Sequence, residues 1–287
     1  MLNSDTIRWP APAKLNLFLY ITGQRSDGYH ELQTLFQFID RCDYLIITPN
    51  HSGQITLANN IIDVPLTDNL IYKAAMLLKQ YAPIDYGANI QIEKNLPMGG
   101  GLGGGSSDAA TTLIALNYHW DLNLKSEKLA EIGLKLGADV PIFVFGKSAI
   151  AEGVGERLTA INPPENSYLV AVPTCHVSTP KVFNDPSLTR NTTKKSHQNL
   201  MAKNWSNDCE PCVKNNYPEV AKAIDWLVEY APTRLTGTGA CVFSTLTTLD
   251  EAQVIIKNAP SWLNTFAAKG LNNSPVNELL STLKLKS

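Results

Sequence analysis

Six of the seven residues from Gly99 to Gly105 are glycine, and Ser106 and Ser107 follow directly. The chain holds 18 glycines, so one third of them stand in this stretch. Consecutive glycine is costly in backbone entropy, and a plain connection between two elements rarely needs more than roughly one or two. What the run supplies is backbone N–H groups with no side chains in front of them. Set between a strand and a helix, such donors converge on an anion, and the helix N-terminus adds about half a positive charge. The hydroxyls of Ser106 and Ser107 are further donors to a phosphate, or ligands to its metal ion. Pro97 and Met98 lead into the run.

Three loop types compete for this segment, beside a flexible glycine turn with no ligand. Gly99-x-Gly101-x-x-Gly104 formally fits the dinucleotide fingerprint, but Asp121, at the right distance, follows a helical pattern instead of ending a second strand. A P-loop needs a lysine directly after its last glycine, where this chain has Ser106. The third type runs Pro97-x-x-x-Gly101-Leu102-Gly103, then small residues, two serines and a helix. Its lysine must come from elsewhere in the chain.

Other residues have two readings each. Asp139 stands before Val140-Pro141-Ile142-Phe143, where it serves as a helix N-cap or as a general base. Lys14, in Ala13-Lys14-Leu15-Asn16-Leu17-Phe18-Leu19, reads by itself as a solvated strand residue. Lys94 reads as a solvated strand end or as a neighbour of the loop's ligand. Tyr29-His30 follows a turn-forming Asp27-Gly28 pair and by itself reads as a packed strand start. Gly237-Thr238-Gly239 reads as a tight hairpin turn. Cys209-x-x-Cys212 has no second pair, whereas structural zinc takes four ligands.

The elements that must position these residues follow from periodicity. Three β-rich segments open the chain, about 6–22, 30–40 and 43–58. Asp68 is placed to cap a helix carrying Ile71, Ala74, Ala75 and Leu78 inward. Gly87–Lys94 reads as a strand, Asp108–Trp120 as the helix after the glycine run, and Ser126 as the cap of a helix ending at Gly137. Ile161–Asn166 is polar with two prolines and is the best boundary between two domains, 1–160 and 161–287. Tyr168–Val172 is then a strand, and 184–207 an irregular surface loop with one short helix. Pro218 opens a helix with Val220, Ala223, Ile224 and Leu227 inward. Two short strands around Thr236–Ala240, a helix over Leu249–Asn258 and a strand over Thr265–Ala268 complete the pattern, which is α+β.

Composition bounds the class. The chain has 287 residues, 44% hydrophobic and 17% charged, with formal charge −2. That describes a globular protein of about two domains, with no basic excess for nucleic acid or a membrane surface. No run approaches the roughly 18 apolar residues of a membrane span. Leu15–Ile21 is too short for a secretory leader and is interrupted by Asn16. Five scattered cysteines suit a reducing cytoplasm better than a disulfide framework.

The glycine loop resembles the phosphate-binding motif of the GHMP kinase family. Pro12-Ala13-Lys14-Leu15-Asn16-Leu17 and Gly23-Gln24-Arg25-Ser26-Asp27-Gly28-Tyr29-His30-Glu31-Leu32 narrow the likeness to one branch of it. That branch phosphorylates the 2-hydroxyl of 4-diphosphocytidyl-2-C-methyl-D-erythritol. Leu136–Pro141 and Leu235–Phe243 also resemble it, and the similarity runs from about residue 8 to about 275. It implies an N-terminal α+β domain with the glycine loop, a C-terminal ferredoxin-like domain, and a site between them. The implied ligands are ATP with Mg²⁺ and the cytidyl alcohol, on a monomer or homodimer. It implies Asp139 as base and Lys14 as the cation that orients the acceptor hydroxyl. The loop 97–107 with Lys94 would hold the nucleotide. Asn16 would contact the diphosphate or the acceptor. Tyr29 would stack on cytosine with Phe183 opposite, His30 would bond the base edge, and Thr179 is a weaker substrate contact. Gly237–Gly239 would approach the site through its backbone.

Overall fold

A computed structural model describes residues 6–59, 64–201 and 205–285. Parts of two expectations, the ends of the two proposed domains (1–5 and 286–287) and positions 202–204 of the polar loop, lie outside the described residues.

The chain opens with an antiparallel pair, β1 (Arg8–Gln24) and β2 (His30–Asn50). The second and third β-rich segments expected from the sequence are one continuous strand, so β2 is long enough to be the hub of the sheet. It also pairs with β4 and β5 and touches β10. Then follow β3 (Ile55–Leu57), α1 (Leu70–Lys79), β4 (Gly87–Glu93), α2 (Gly104–His119), α3 (Ser126–Leu134), α4 (Val140–Phe145), β5 (Ala149–Gly153) and β6 (Arg157–Ala160). The second half holds β7 (Ser167–Val172), α5 (Thr179–Phe183), α6 (His197–Leu200), α7 (Glu210–Asn216), α8 (Pro218–Val228), β8 (Thr233–Leu235), β9 (Val242–Leu246), α9 (Leu249–Lys257), β10 (Asn264–Leu271) and α10 (Pro275–Lys284).

In the second half the strands lie in the order β10-β7-β9-β8, all antiparallel. With α8 after β7 and α9 after β9, this is the ferredoxin-like β-α-β-β-α-β arrangement, into which α5–α7 are inserted. The strand β10 also meets β2, at Gly270↔Ile39 and Leu271↔Phe38, so the sheet continues across both halves. A shared apolar cluster including Leu15, Phe18, Leu102, Tyr168 and Phe243 fills the seam. The last helix returns to the first core through Val276.

Several helix starts differ from expectation. Asn69, not Asp68, caps α1, its side chain accepting from the Ile71 N–H at 2.9 Å; Asp68 closes a short 3-10 turn ahead of it. Lys125, not Ser126, stands at the cap of α3, which ends at Leu134. The helix after the glycine run begins at Gly104, four residues before Asp108. Glycine disfavours a helix by about 1 kcal/mol per residue, but first-turn N–H groups have no intrahelical partner in any case. The two short strands expected around Thr236–Ala240 are β8 and β9, an antiparallel pair, and Thr236–Cys241 is the turn between them. Six glycines, threonines and small residues in a row do bend the chain there, as turn residues should.

Candidate active site

One strand edge organises the site. Side chains from Ala11 to Ile21 are all buried, which is why the run is nearly continuously apolar. Yet among the described residues β1 pairs as a strand only with β2, apart from a single bridge of Leu19 to Asn207, and an open edge would leave N–H groups without partners. The site elements supply those partners. The Lys14 N–H donates to the Leu102 carbonyl of the glycine loop at 3.0 Å. The Asn16 N–H donates to Thr236 Oγ1 of the β8–β9 turn at 3.0 Å. The N–H groups of Leu19 and Ile21 donate to the Ser206 carbonyl at 3.0 Å and to Asp208 at 2.7 Å. Loop, turn and insertion are thus held against one backbone line.

Lys14 is not a solvated strand residue: its side chain is 3% exposed. Its ammonium donates to Asn16 Oδ1 at 2.5 Å and to the Gly101 carbonyl at 2.9 Å. It also lies 3.4 Å from Asp139 Oδ2. Asp139 heads α4, but its side chain makes no capping hydrogen bond. Its carboxylate is 38% exposed beside a buried cation, so it is free to meet a ligand. Asn16 shares a strand face with Lys14 and donates through Nδ2 to Thr34 Oγ1 at 2.9 Å.

The glycine loop folds tightly because its neighbours leave no room for side chains. Gly99, Gly101 and Gly103 have φ of +68°, +75° and +74°. A Cβ on Gly103 would meet the Phe143 ring at 2.7 Å and Lys14 Cε at 3.1 Å. The Cys241 N–H donates to the Gly100 carbonyl at 3.1 Å, tying the loop to the turn after β8.

A cleft of about 1090 Å³ runs from this loop to a second cluster of residues. Small-ligand pockets span roughly 300–1,000 Å³, so the cleft has room for two substrates end to end. Pro97, Met98, Gly99 to Gly105 and Ser106 line one part of it, with Lys14, Asn16 and Asp139 between. Tyr29, His30, Thr179 and Phe183 line the other. Ser107, by contrast, is buried and its hydroxyl has no hydrogen-bond partner. The Thr179 and Thr238 hydroxyls are bonded at 2.8 Å, so Gly237–Gly239 does more than turn the chain. Phe183 stacks on His30, at 5.0 Å between centroids and 25° between planes, and not on Tyr29. Tyr29 is 65% exposed at the rim.

Comparison with known proteins settles the family. The model of the GHMP kinases N terminal domain matches residues 69–147, and that of the GHMP kinases C terminal matches 188–265. The 4-diphosphocytidyl-2-C-methyl-D-erythritol kinase of Psychromonas ingrahamii is 67% identical over 99% of this chain and 100% of its own length. That of Tolumonas auensis is 55% identical over 98% of both chains. This chain belongs to the 4-diphosphocytidyl-2-C-methyl-D-erythritol kinases, a branch of the GHMP kinases. A crystal structure of 4-(cytidine 5'-diphospho)-2C-methyl-D-erythritol kinase superposes with a TM-score of 0.81 at 30% identity, covering 92% of this chain and 99% of that one. Mevalonate kinase from Methanococcus jannaschii shares the fold, with a TM-score of 0.67 at 17% identity, over 94% of this chain and 100% of its own. As a GHMP kinase the chain is a small-molecule kinase that uses ATP. No helix among the described residues is long and apolar enough to cross a membrane.

Behind the kinase's glycine loop lies a charge cluster that the sequence did not disclose. Lys94 bonds Asp43 at 2.5 Å and Asp108 at 2.8 Å. Lys94 is therefore neither a free strand end nor a free cation, although it lines the cleft. Asp43 also accepts the N–H groups of Asn95 and Leu96, at 2.5 and 2.7 Å, and so holds the entry to the loop. Burial pushes the Asp108 carboxyl up to about 7, against the pull of Lys94. Each proton taken up by Asp108 lowers the negative charge of the cluster, in which Lys94 is paired with both carboxylates. Only sequence separation hid Asp43; Asp108 was legible as the acid after two serines.

The sign of the pH effect follows. Asp108 has a folded pKa above its ordinary 3.8, so between about pH 4 and 7 the native protein holds more protons than the unfolded chain. Its contribution to stability is present at low pH and is lost as pH rises through about 7. Asp108→Asn keeps the Lys94–Asp43 pair and should flatten this slope by roughly 1–3 kcal/mol between pH 5 and 8, read by urea unfolding. Parallel slopes for the two proteins would contradict it.

Cys209 and Cys212 have a packing explanation. Both are buried at the start of α7, and Cys212 Sγ donates to the Cys209 carbonyl at 3.1 Å. Burial raises both thiols above their ordinary pKa.

Proposed function

We propose that this kinase transfers the γ-phosphoryl group of ATP to the 2-hydroxyl of 4-diphosphocytidyl-2-C-methyl-D-erythritol, a step in non-mevalonate isoprenoid precursor synthesis in the cytoplasm. The observation that carries this reading is one continuous cleft joining a phosphate-sized glycine loop, a Lys14–Asp139 ion pair and a ring-lined end. Residues 1–160 form the nucleotide-binding domain and 161–287 the second domain, with the cleft between them.

In this reading the N–H groups of the loop and of the first turn of α2 receive the phosphates of ATP, with Met98 and Lys94 alongside. Asp139 accepts the proton of the attacking hydroxyl. Lys14, already aimed at Asp139 and braced by Asn16, offsets charge on the transferring group. The Ser106 hydroxyl and the Asp139 carboxylate both line the cleft and would offer oxygen ligands to Mg²⁺ arriving on the nucleotide. The ion would neutralise phosphate charge. At the far end, cytosine enters between Phe183 and Tyr29, with His30 on its edge. This requires Phe183 to part from His30 or Tyr29 to fold in. Thr179 and Asn16 hold the diphosphate and the alcohol.

The deciding experiment offers Mg-ATP with the cytidyl alcohol, homoserine or mevalonate and measures ADP. Release with the cytidyl alcohol alone is expected; release with the others alone overturns the reading. A Phe183→Ala protein should show a KM for the cytidyl substrate raised about 10- to 100-fold, since base–aromatic stacking is worth about 1–3 kcal/mol. Its KM for ATP should be unchanged. An unaltered cytidyl KM would remove Phe183 from the base site.

A further inference from the structure

The polar segment after α5 carries one arginine that faces inward, and all three of its guanidinium nitrogens donate within the protein. Arg190 donates to the carbonyls of Phe183 at 2.9 Å, Asp185 at 2.7 Å and Leu188 at 3.1 Å. Its remaining bond runs from Nε to His30 Nε2 at 3.2 Å. Arginine has no acceptor and keeps its charge in proteins, so His30 Nε2 must offer a lone pair. The imidazole is then neutral, with its proton on Nδ1. Its surroundings agree, because burial first and the Arg190 charge second lower its pKa. His30 Nδ1 meets no protein partner among the described residues, while His30 lines the cleft. The same arginine holds the backbone of Phe183, whose ring stacks on the imidazole. The segment itself is anchored on β1 and β2, through the Thr192 N–H to the Ile21 carbonyl at 3.0 Å and a reciprocal Gln33–Lys195 pair.

We propose that Arg190 is a positioning residue for base selection: it fixes His30 as an Nδ1–H donor, so that the cleft accepts a base with a bare ring nitrogen on its pairing edge and disfavours one with N–H there. Cytosine presents an acceptor at N3, and uracil presents a donor. The proposal rests on the reading of this end as the base site and adds the discriminating atom and its cause. The bond that forms is His30 Nδ1–H to base N3; no proton is transferred.

The test has two arms. In ¹⁵N NMR of the free protein, with His30 identified by its loss in His30→Gln, the wild type should show the proton on Nδ1. Arg190→Met should shift the ring toward the Nε2–H form. In kinetics, Arg190→Met should raise the cytidyl KM at least about 10-fold, leave the ATP KM unchanged, and narrow the preference over the uridyl analogue. Arg190→Lys, which can still donate to His30, should restore part of that preference. A wild-type Nε2–H ring, or a cytidyl-over-uridyl preference equal in Arg190→Met and wild type, would overturn the proposal. Equal rises in both KM values would reduce Arg190 to a structural residue and overturn it too. If the wild type phosphorylates no cytidyl alcohol, the functional reading fails, while the NMR arm still decides the tautomer.

Discussion

An Asp139→Asn protein should fold like the wild type, bind both substrates, and turn over about 10³-fold more slowly. The separation of effects follows from the geometry. The Asp139 carboxylate is partly exposed, makes no capping bond to α4, and has Lys14 Nζ at 3.4 Å. The amide keeps the shape and loses the basicity, so kcat falls while KM and Tm stay near their starting values. Lys14→Met should lower kcat by about 10²–10³-fold, but not as cleanly. Its ammonium also satisfies the Gly101 carbonyl and Asn16 Oδ1 inside the protein, and leaving buried acceptors without a donor costs about 1–3 kcal/mol each. The lysine variant should therefore melt lower, and the aspartate variant should not. Steady-state kinetics beside thermal melts will separate the two, and an Asp139→Asn enzyme within tenfold of native kcat would end its assignment as the base.

The second large effect comes from two glycines four residues apart in the same run. A Cβ on Gly101 would lie 2.3 Å from the Thr236 carbonyl oxygen and 3.1 Å from that of Gly239, at a φ of +75°. Both obstacles are backbone, and the left-handed conformation alone costs roughly 1–2 kcal/mol for a residue with a side chain. Gly101→Ala should push the loop off the β8–β9 turn, raise the KM for ATP about 100-fold or more, and lower stability by at least about 2 kcal/mol. Gly105 lies inside α2 with only Leu70 Cδ1 near its Cβ position, at 3.5 Å. Gly105→Ala should raise stability by about 0.5–1 kcal/mol. Calorimetry and ATP titration of the pair make the comparison. Matching behaviour of the two variants would mean that the loop is not held by that contact.

The amino-acid sequence determined the local chemistry. A run of glycines before two serines states that backbone must approach something closely, and no tertiary information is needed to read it. The periodic helices, such as α8 with Val220, Ala223, Ile224 and Leu227 buried, follow from the same local logic. So does the pairing of strands and helices into two α+β halves. Residue types near the loop were legible as candidates, but each kept a bland alternative. Lys14 was as good a solvated strand lysine, and Asp139 as good a helix cap.

Tertiary structure removed the solvated lysine and the capping bond, because the contacts that do so join residues far apart in the chain. Lys14 meets Asp139 and Gly101, and Asn16 meets Thr236, only when β1 presents its open edge to the loop and the β8–β9 turn. Asp43 reaches Lys94 across β2 and β4, and Arg190 reaches His30 across 160 positions. A periodic pattern reports which face of an element is buried; it carries no term for what lies against that face. The energy that makes a buried lysine or arginine tolerable is supplied by partners brought in by the sheet, so the charge network, the neutral histidine and the shape of the cleft belong to the fold and not to any segment of it.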